Sequence, residues 1–116
     1  MARKKVPFQP WESRADGGIE KRYFRLGATI MASEAMLSLS NSAFRVYCHM
    51  RIESGGKQSF SFPYSKYKIF MSRPTFIAAR NELQEKGFID VVQNNKNLRK
   101  ANTYCFSEKW KKFQNP

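Results

Sequence analysis

The sequence predicts an α+β domain in which several helices are closed by a small antiparallel sheet. Three observations carry that expectation. Residues 72–89 read as a capped helix that stops at a glycine and runs directly into a strand rich in β-branched residues. Two further runs, 59–62 and 103–107, are short, rich in aromatics and bounded by turn-forming residues. The chain has 116 residues with ten Phe, five Tyr and two Trp, enough for one domain with a real hydrophobic core.

Residues 1–22 read as a basic N-terminal arm, partly flexible, with Pro7, Pro10, Gly17 and Gly18 and little periodicity. Phe8 and Trp11 are expected to anchor it on the domain, which runs from 23 to 116 and ends in a short extension. Residues 23–32 are mixed and apolar and fit either a short strand or an extended lead-in, passing into a helical turn around 33–37. A helix follows, capped at Ser40 or Asn41 and ended by Gly55-Gly56. Its expected apolar stripe is Phe44, Tyr47, Cys48 and the stem of Arg51, broadened by Val46 and Met50. Residues 59–62 alternate polar and aromatic as a half-buried strand does, and Pro63 closes them. A short helix at 65–70 turns Tyr67 and Phe70 inward.

The helix at 73–86 is the best specified. Ser72 is a good N-cap, Pro74 lies in the first turn where a missing N–H costs nothing, and Gly87 supplies a left-handed stop. Phe76, Ala79 and Leu83 form its apolar stripe. The opposite face holds Pro74, Ile77, Ala78, Asn81 and Glu85, flanked by Arg73, Thr75 and Gln84. Residues 88–93 form a strand, 94–102 a polar loop dense in turn formers, and 103–107 the returning strand. Trp110 and Phe113 lie on a basic tail at 108–113 that reads as a closing helical turn.

The chain carries 21 Lys and Arg against 9 Asp and Glu, a net charge of +12 spread along its length. A small domain this basic points to a polyanionic partner, above all nucleic acid. Cys48 and Cys105 lack metal-ligand spacing and read as reduced core thiols of a cytoplasmic protein, the alternative being a Cys48–Cys105 disulfide, which needs an oxidising compartment. The basic N-terminus has no apolar stretch behind it, and no run approaches a membrane span. His49 has no partner at ligand spacing, and no nucleophile, phosphate-loop or metal motif is present. The sequence therefore predicts no catalytic residues, no metal, no cofactor and no small-molecule ligand.

The order helix, strand, helix, helix, strand, basic loop, strand resembles the winged helix-turn-helix family over residues 39–107. The most telling residues are Ser72, Thr75, Glu82-Leu83 and Glu85-Lys86-Gly87-Phe88-Ile89. The resemblance implies a three-helix core, a three-stranded antiparallel sheet and a β-hairpin wing. It makes 65–70 and 73–86 the helix-turn-helix pair, with 73–86 the recognition helix. The arm, Phe8-Gln9-Pro10-Trp11-Glu12-Ser13, is similar to one found in small regulators and replication proteins of bacterial phages, plasmids and conjugative elements.

On that reading the partner is double-stranded DNA, and a homodimer is compatible with it although no heptad seam is visible. Arg73, Thr75, Ile77, Ala78 and Asn81 are the base-edge or groove-wall candidates: Asn suits adenine, Arg guanine, and Ile or Ala a thymine methyl. Ser72 would hold a phosphate at the helix start. Lys66 and Lys68 would contact phosphates from the preceding helix, and Lys96, Arg99 and Lys100 would do so from the acid-free wing. Two other classes fit the same residues. One is a protein-interaction module anchored by exposed Ile77, Trp11 and Trp110. The other is a single-strand binder that stacks bases on exposed aromatics.

Overall fold

Three serines set the helix starts. In the computed structural model, which describes residues 7–12, 14–93 and 102–114, the chain forms α1 (Ala28–Met31), α2 (Glu34–Leu37), α3 (Asn41–Ser54), β1 (Ser59–Ser61), α4 (Tyr64–Tyr67), α5 (Arg73–Glu85), β2 (Ile89–Gln93) and β3 (Thr103–Phe106). Ser33, Ser40 and Ser72 cap α2, α3 and α5, each hydroxyl accepting the backbone N–H three residues on. Short 3-10 turns lie at Pro10–Glu12 and Lys109–Lys112. The three strands form one antiparallel sheet in the order β1-β3-β2, with Phe60 opposite Tyr104 and Ile89 opposite Phe106. The β2–β3 register shifts between Val91 and Gln93. The α+β expectation therefore holds; α2 falls at the expected helical turn around 33–37, and α1 is added.

The core lies between the sheet and the α3–α5 pair. Ala43, Val46 and Met50 of α3 are wholly buried, as is Leu83 of α5. Phe62, Tyr67 and Phe76 stack, the last two with ring centroids 3.9 Å apart. Phe60 meets Phe106 at 4.6 Å and extends the aromatic layer under the sheet. Each such side chain contributes about 1.5–3 kcal/mol of burial.

The buried stripe of α3 is a correction to the sequence reading. It is Ala43, Val46, Tyr47 and Met50, at i, i+3, i+4 and i+7, and is rotated roughly a quarter turn from the expected stripe. Phe44 and Cys48 are only partly buried. α3 packs most closely on α5. The Arg51 side is covered instead by the N-terminal lead-in. The guanidinium donates to the Tyr47 hydroxyl and the Arg25 carbonyl, each at 2.9 Å, and lies over Phe24 and Phe106. Residues 23–27 are thus an extended lead-in and not a strand.

Three further expectations are corrected. α4 ends at Tyr67, and the chain turns through residues 68–70 instead of continuing a helix. Trp11 is 82% exposed and anchors nothing, whereas Phe8 packs edge-on against Tyr23. Trp110 is not a free anchor: it packs against the core and stacks on Phe88 with an interplanar angle of 11°. The 3-10 turn carrying Trp110 sits directly on Gly87, whose carbonyl accepts the Trp110 N–H at 3.0 Å. Cys48 and Cys105 are free thiols, and burial pushes the Cys48 thiol up. No helix among the described residues is long and apolar enough to cross a membrane.

One polar network locks α5 to the start of α3. The Glu82 carboxylate accepts from the Ser40 N–H and the Ser40 hydroxyl, both at 2.7 Å. Lys86 reaches the same carboxylate at 3.3 Å and donates to the Ser38 carbonyl. Partial burial alone would raise the Glu82 carboxyl, but the Ser40 hydrogen bonds and the Lys86 ammonium together hold it below its ordinary value of 4.5.

Two stability outcomes follow. Gly87 has φ 87°, and a Cβ there would lie 2.5 Å from the Trp110 nitrogen and 2.6 Å from the Lys109 carbonyl carbon. Gly87→Ala is therefore expected to destabilise by roughly 2–5 kcal/mol, read as a lower urea midpoint. Glu82→Ala is expected to cost about 1–3 kcal/mol at neutral pH. Because the folded carboxyl titrates below the unfolded one, its contribution is complete above pH 4.5 and is lost as pH falls through the folded value. Acid unfolding curves of the variant should lack that component.

Candidate nucleic-acid interface

Burying Phe76, Ala79 and Leu83 turns the other side of α5 outward. Arg73, Pro74, Thr75, Ile77, Ala78 and Asn81 are all exposed, as are Gln84 and Glu85. At helical spacing Pro74, Ile77, Ala78, Asn81 and Glu85 share one stripe opposite the core. Glu82 is turned away toward Ser40. The first two turns of the outward face therefore carry no carboxylate, and its acid, Glu85, stands at the far end. The Asn81 amide lies in the middle, its Oδ1 accepting from Arg80 Nη2 at 3.4 Å. Arg80 Nε is the one buried side-chain polar atom without a hydrogen-bond partner among the described residues.

The start of α5 offers few free backbone donors. The Ser72 hydroxyl accepts the Thr75 N–H and donates to Thr75 Oγ1 at 2.9 Å, so the phosphate role expected of it competes with its cap. Pro74 has no N–H. Positive charge at this face must come from side chains.

The cations differ in their engagement. Lys66 pairs with Glu53 at 3.4 Å, and Glu53 also takes Arg22 at 3.1 Å. Lys68 and Arg73 are exposed and make no ion pair among the described residues. Lys96, Arg99 and Lys100 lie outside the described residues.

The sequence reading passed over Arg45. An open cleft of ≈ 380 Å³ separates the start of α3 from the α4–α5 turn, lined by Asn41, Ser42, Arg45, Phe70, Met71, Ser72 and Thr75. Arg45 is exposed, its guanidinium carbon 5.0 Å from the Phe70 ring centroid. His49, one turn on, stacks on the same ring at 4.0 Å. The i, i+4 spacing of Arg45 and His49 would have grouped them, had the α3 stripe been centred on Ala43, Val46, Tyr47 and Met50.

No family model, curated protein or solved structure matches the chain. No group of three or more His, Cys, Asp or Glu among the described residues could hold a metal ion.

Burial beside Phe70, with a smaller contribution from Arg45, lowers the His49 pKa from its ordinary 6.5, against the opposing pull of Glu53. Protonation of the folded protein thus lags that of the unfolded chain. Stability should rise with pH through the window just below 6.5 and be lost as pH falls through the folded value. An NMR titration should place His49 below 6.5, and Phe70→Ala should move it back toward that value; an unshifted midpoint in both proteins would remove the burial argument.

Proposed function

We propose that the chain is a winged-helix protein that binds double-stranded DNA, with α5 as recognition helix and the β2–β3 hairpin as wing. The observation that carries the reading is the outward face of α5. It is short in side chains and acid-free over two turns, and Lys68 and Arg73 beside it make no ion pair among the described residues. A helix with its side chains is about 10–12 Å across and the major groove about 12 Å wide, so such a face seats against base edges. The connectivity supports it as well. α4 and α5 are joined by a tight turn, and the chain goes directly from α5 into a hairpin that pairs with β1.

Asn81 and Arg73 would read bases, Ile77 and Ala78 would meet thymine methyls, and Thr75 would line the groove wall. Lys68 would hold a phosphate, as would Lys66 once released from Glu53. Lys96, Arg99 and Lys100 would do the same from the wing, fixing register without reading sequence. The likeness to mobile-element proteins extends the proposal to a transcriptional regulator or replication-initiation factor of a bacterial mobile element. Ile69, 84% exposed beside the α4–α5 turn, favours a second reading in which the same surface docks a protein.

Titration of a pool of duplexes across a salt series decides between them. Affinity should fall steeply with salt, and joint Ala substitution of Lys96, Arg99 and Lys100 should flatten the slope. Asn81→Ala and Arg73→Ala should each relax preference at one base position, by about 1–3 kcal/mol. Sequence preference that survives both changes would refute base reading by α5, and no duplex affinity at low salt would favour the protein-docking reading.

A further inference from the structure

We infer that Arg45, on α3, is a backbone-phosphate contact that seats one DNA strand in the cleft beside α5. The inference rests on the reading of α5 as the helix that enters the groove. A helix that fills the major groove has a phosphate backbone along each flank. Helical spacing places Thr75 on one flank of α5. The Thr75 flank faces the cleft, and Arg45 is the cation among its lining residues.

Three features suit Arg45 to that role. Glu53, further along α3, pairs with Arg22 and Lys66, and Glu82 of α5 is engaged with Ser40 and Lys86. Arg45 itself makes no ion pair among the described residues. Its guanidinium carbon lies 5.0 Å from the Phe70 ring centroid, and its N–H donors make no hydrogen bond among the described residues, so they are available to a ligand. The cleft it borders has no carboxylate in its lining and presents the polar groups of Asn41, Ser42 and Thr75, which suits a phosphate and its oxygens.

The test is the salt dependence of duplex binding by the full chain. Arg45→Ala should weaken binding to all duplex sequences alike and reduce the salt slope by about 0.9, the contribution of one phosphate. Arg45→Lys, which keeps the charge, should keep the slope. Lys57 follows α3 at the end of β1 remote from the hairpin tip, so Lys57→Ala should also keep it. Urea unfolding of each variant shows that it is folded. An unchanged slope in Arg45→Ala, with wild-type binding intact, would overturn the assignment of Arg45 and leave the duplex reading standing. An equal loss in Lys57→Ala would also overturn it, by tracing the effect to net charge. Absence of salt-dependent duplex binding by the wild-type chain would remove both readings.

Discussion

The contact between Glu82 and Ser40 sets the relation of α5 to α3, and the rest of the surface depends on it. Ser40 already caps α3 with its own hydroxyl. The backbone N–H of a cap residue is commonly satisfied by a Glu three residues further along the same helix. Here that position is Ala43, which is wholly buried, and the carboxylate arrives instead from α5, 42 residues away. The start of one helix is thus fastened to the body of the other, and Lys86 carries the fastening on to the Ser38 carbonyl. The width of the cleft between Asn41 and Thr75 follows from that fixed crossing, as does the place of Arg45 beside Phe70.

The same contact sorts the charges. An acid at residue 82 pointing outward would add a negative charge to the outer face of α5, and turning it onto Ser40 removes it from that face. Glu53 and Asp90 likewise sit with basic partners, Arg22 and Lys66 in one case and Lys109 in the other. Exposed pairs of this kind add at most about 1 kcal/mol each to stability. Their larger effect is on the pattern of charge, because the acids are neutralised where they stand while Arg45, Lys68 and Arg73 are left without ion-pair partners among the described residues. Lys21, Arg25, Lys57 and Lys112 are likewise exposed and without ion pairs among the described residues, so what sets the surroundings of α5 apart is the lack of an unengaged acid on its first two turns.

What could be read from the sequence was local. Ser72, Pro74 and Gly87 act within a few residues of themselves, and all three stand where helix-end chemistry puts them. The strands were legible from alternation, and the outward face of α5 from its buried stripe. What could not be read depends on distant chain. The α3 stripe is set by where α5 packs, and apolar residues on three sides of α3 left its centre ambiguous. The role of Glu82 needs Ser40, and the burial of Trp110 needs Gly87, whose missing side chain lets the closing turn pass within 3.0 Å. Arg45 was missed for the same reason: only the placement of Phe70 makes it more than one basic residue on a helix.

The proposed interface divides affinity from specificity unevenly. Pro74, Ile77 and Ala78 offer shape and apolar contact but no directional hydrogen bonds, so base reading falls to Arg73 and Asn81. A bidentate contact with adenine needs both the oxygen and the amino group of Asn81. Arg80 Nη2 approaches that oxygen at 3.4 Å, a long contact, and the oxygen keeps a second lone pair. Arg80 is itself constrained, with Nε buried and without a partner. The Arg80 contact is too long to remove the Asn81 oxygen from base reading. On the proposed reading, Asn81 and Arg73 would therefore carry the directional hydrogen bonds of a face that has few other polar groups.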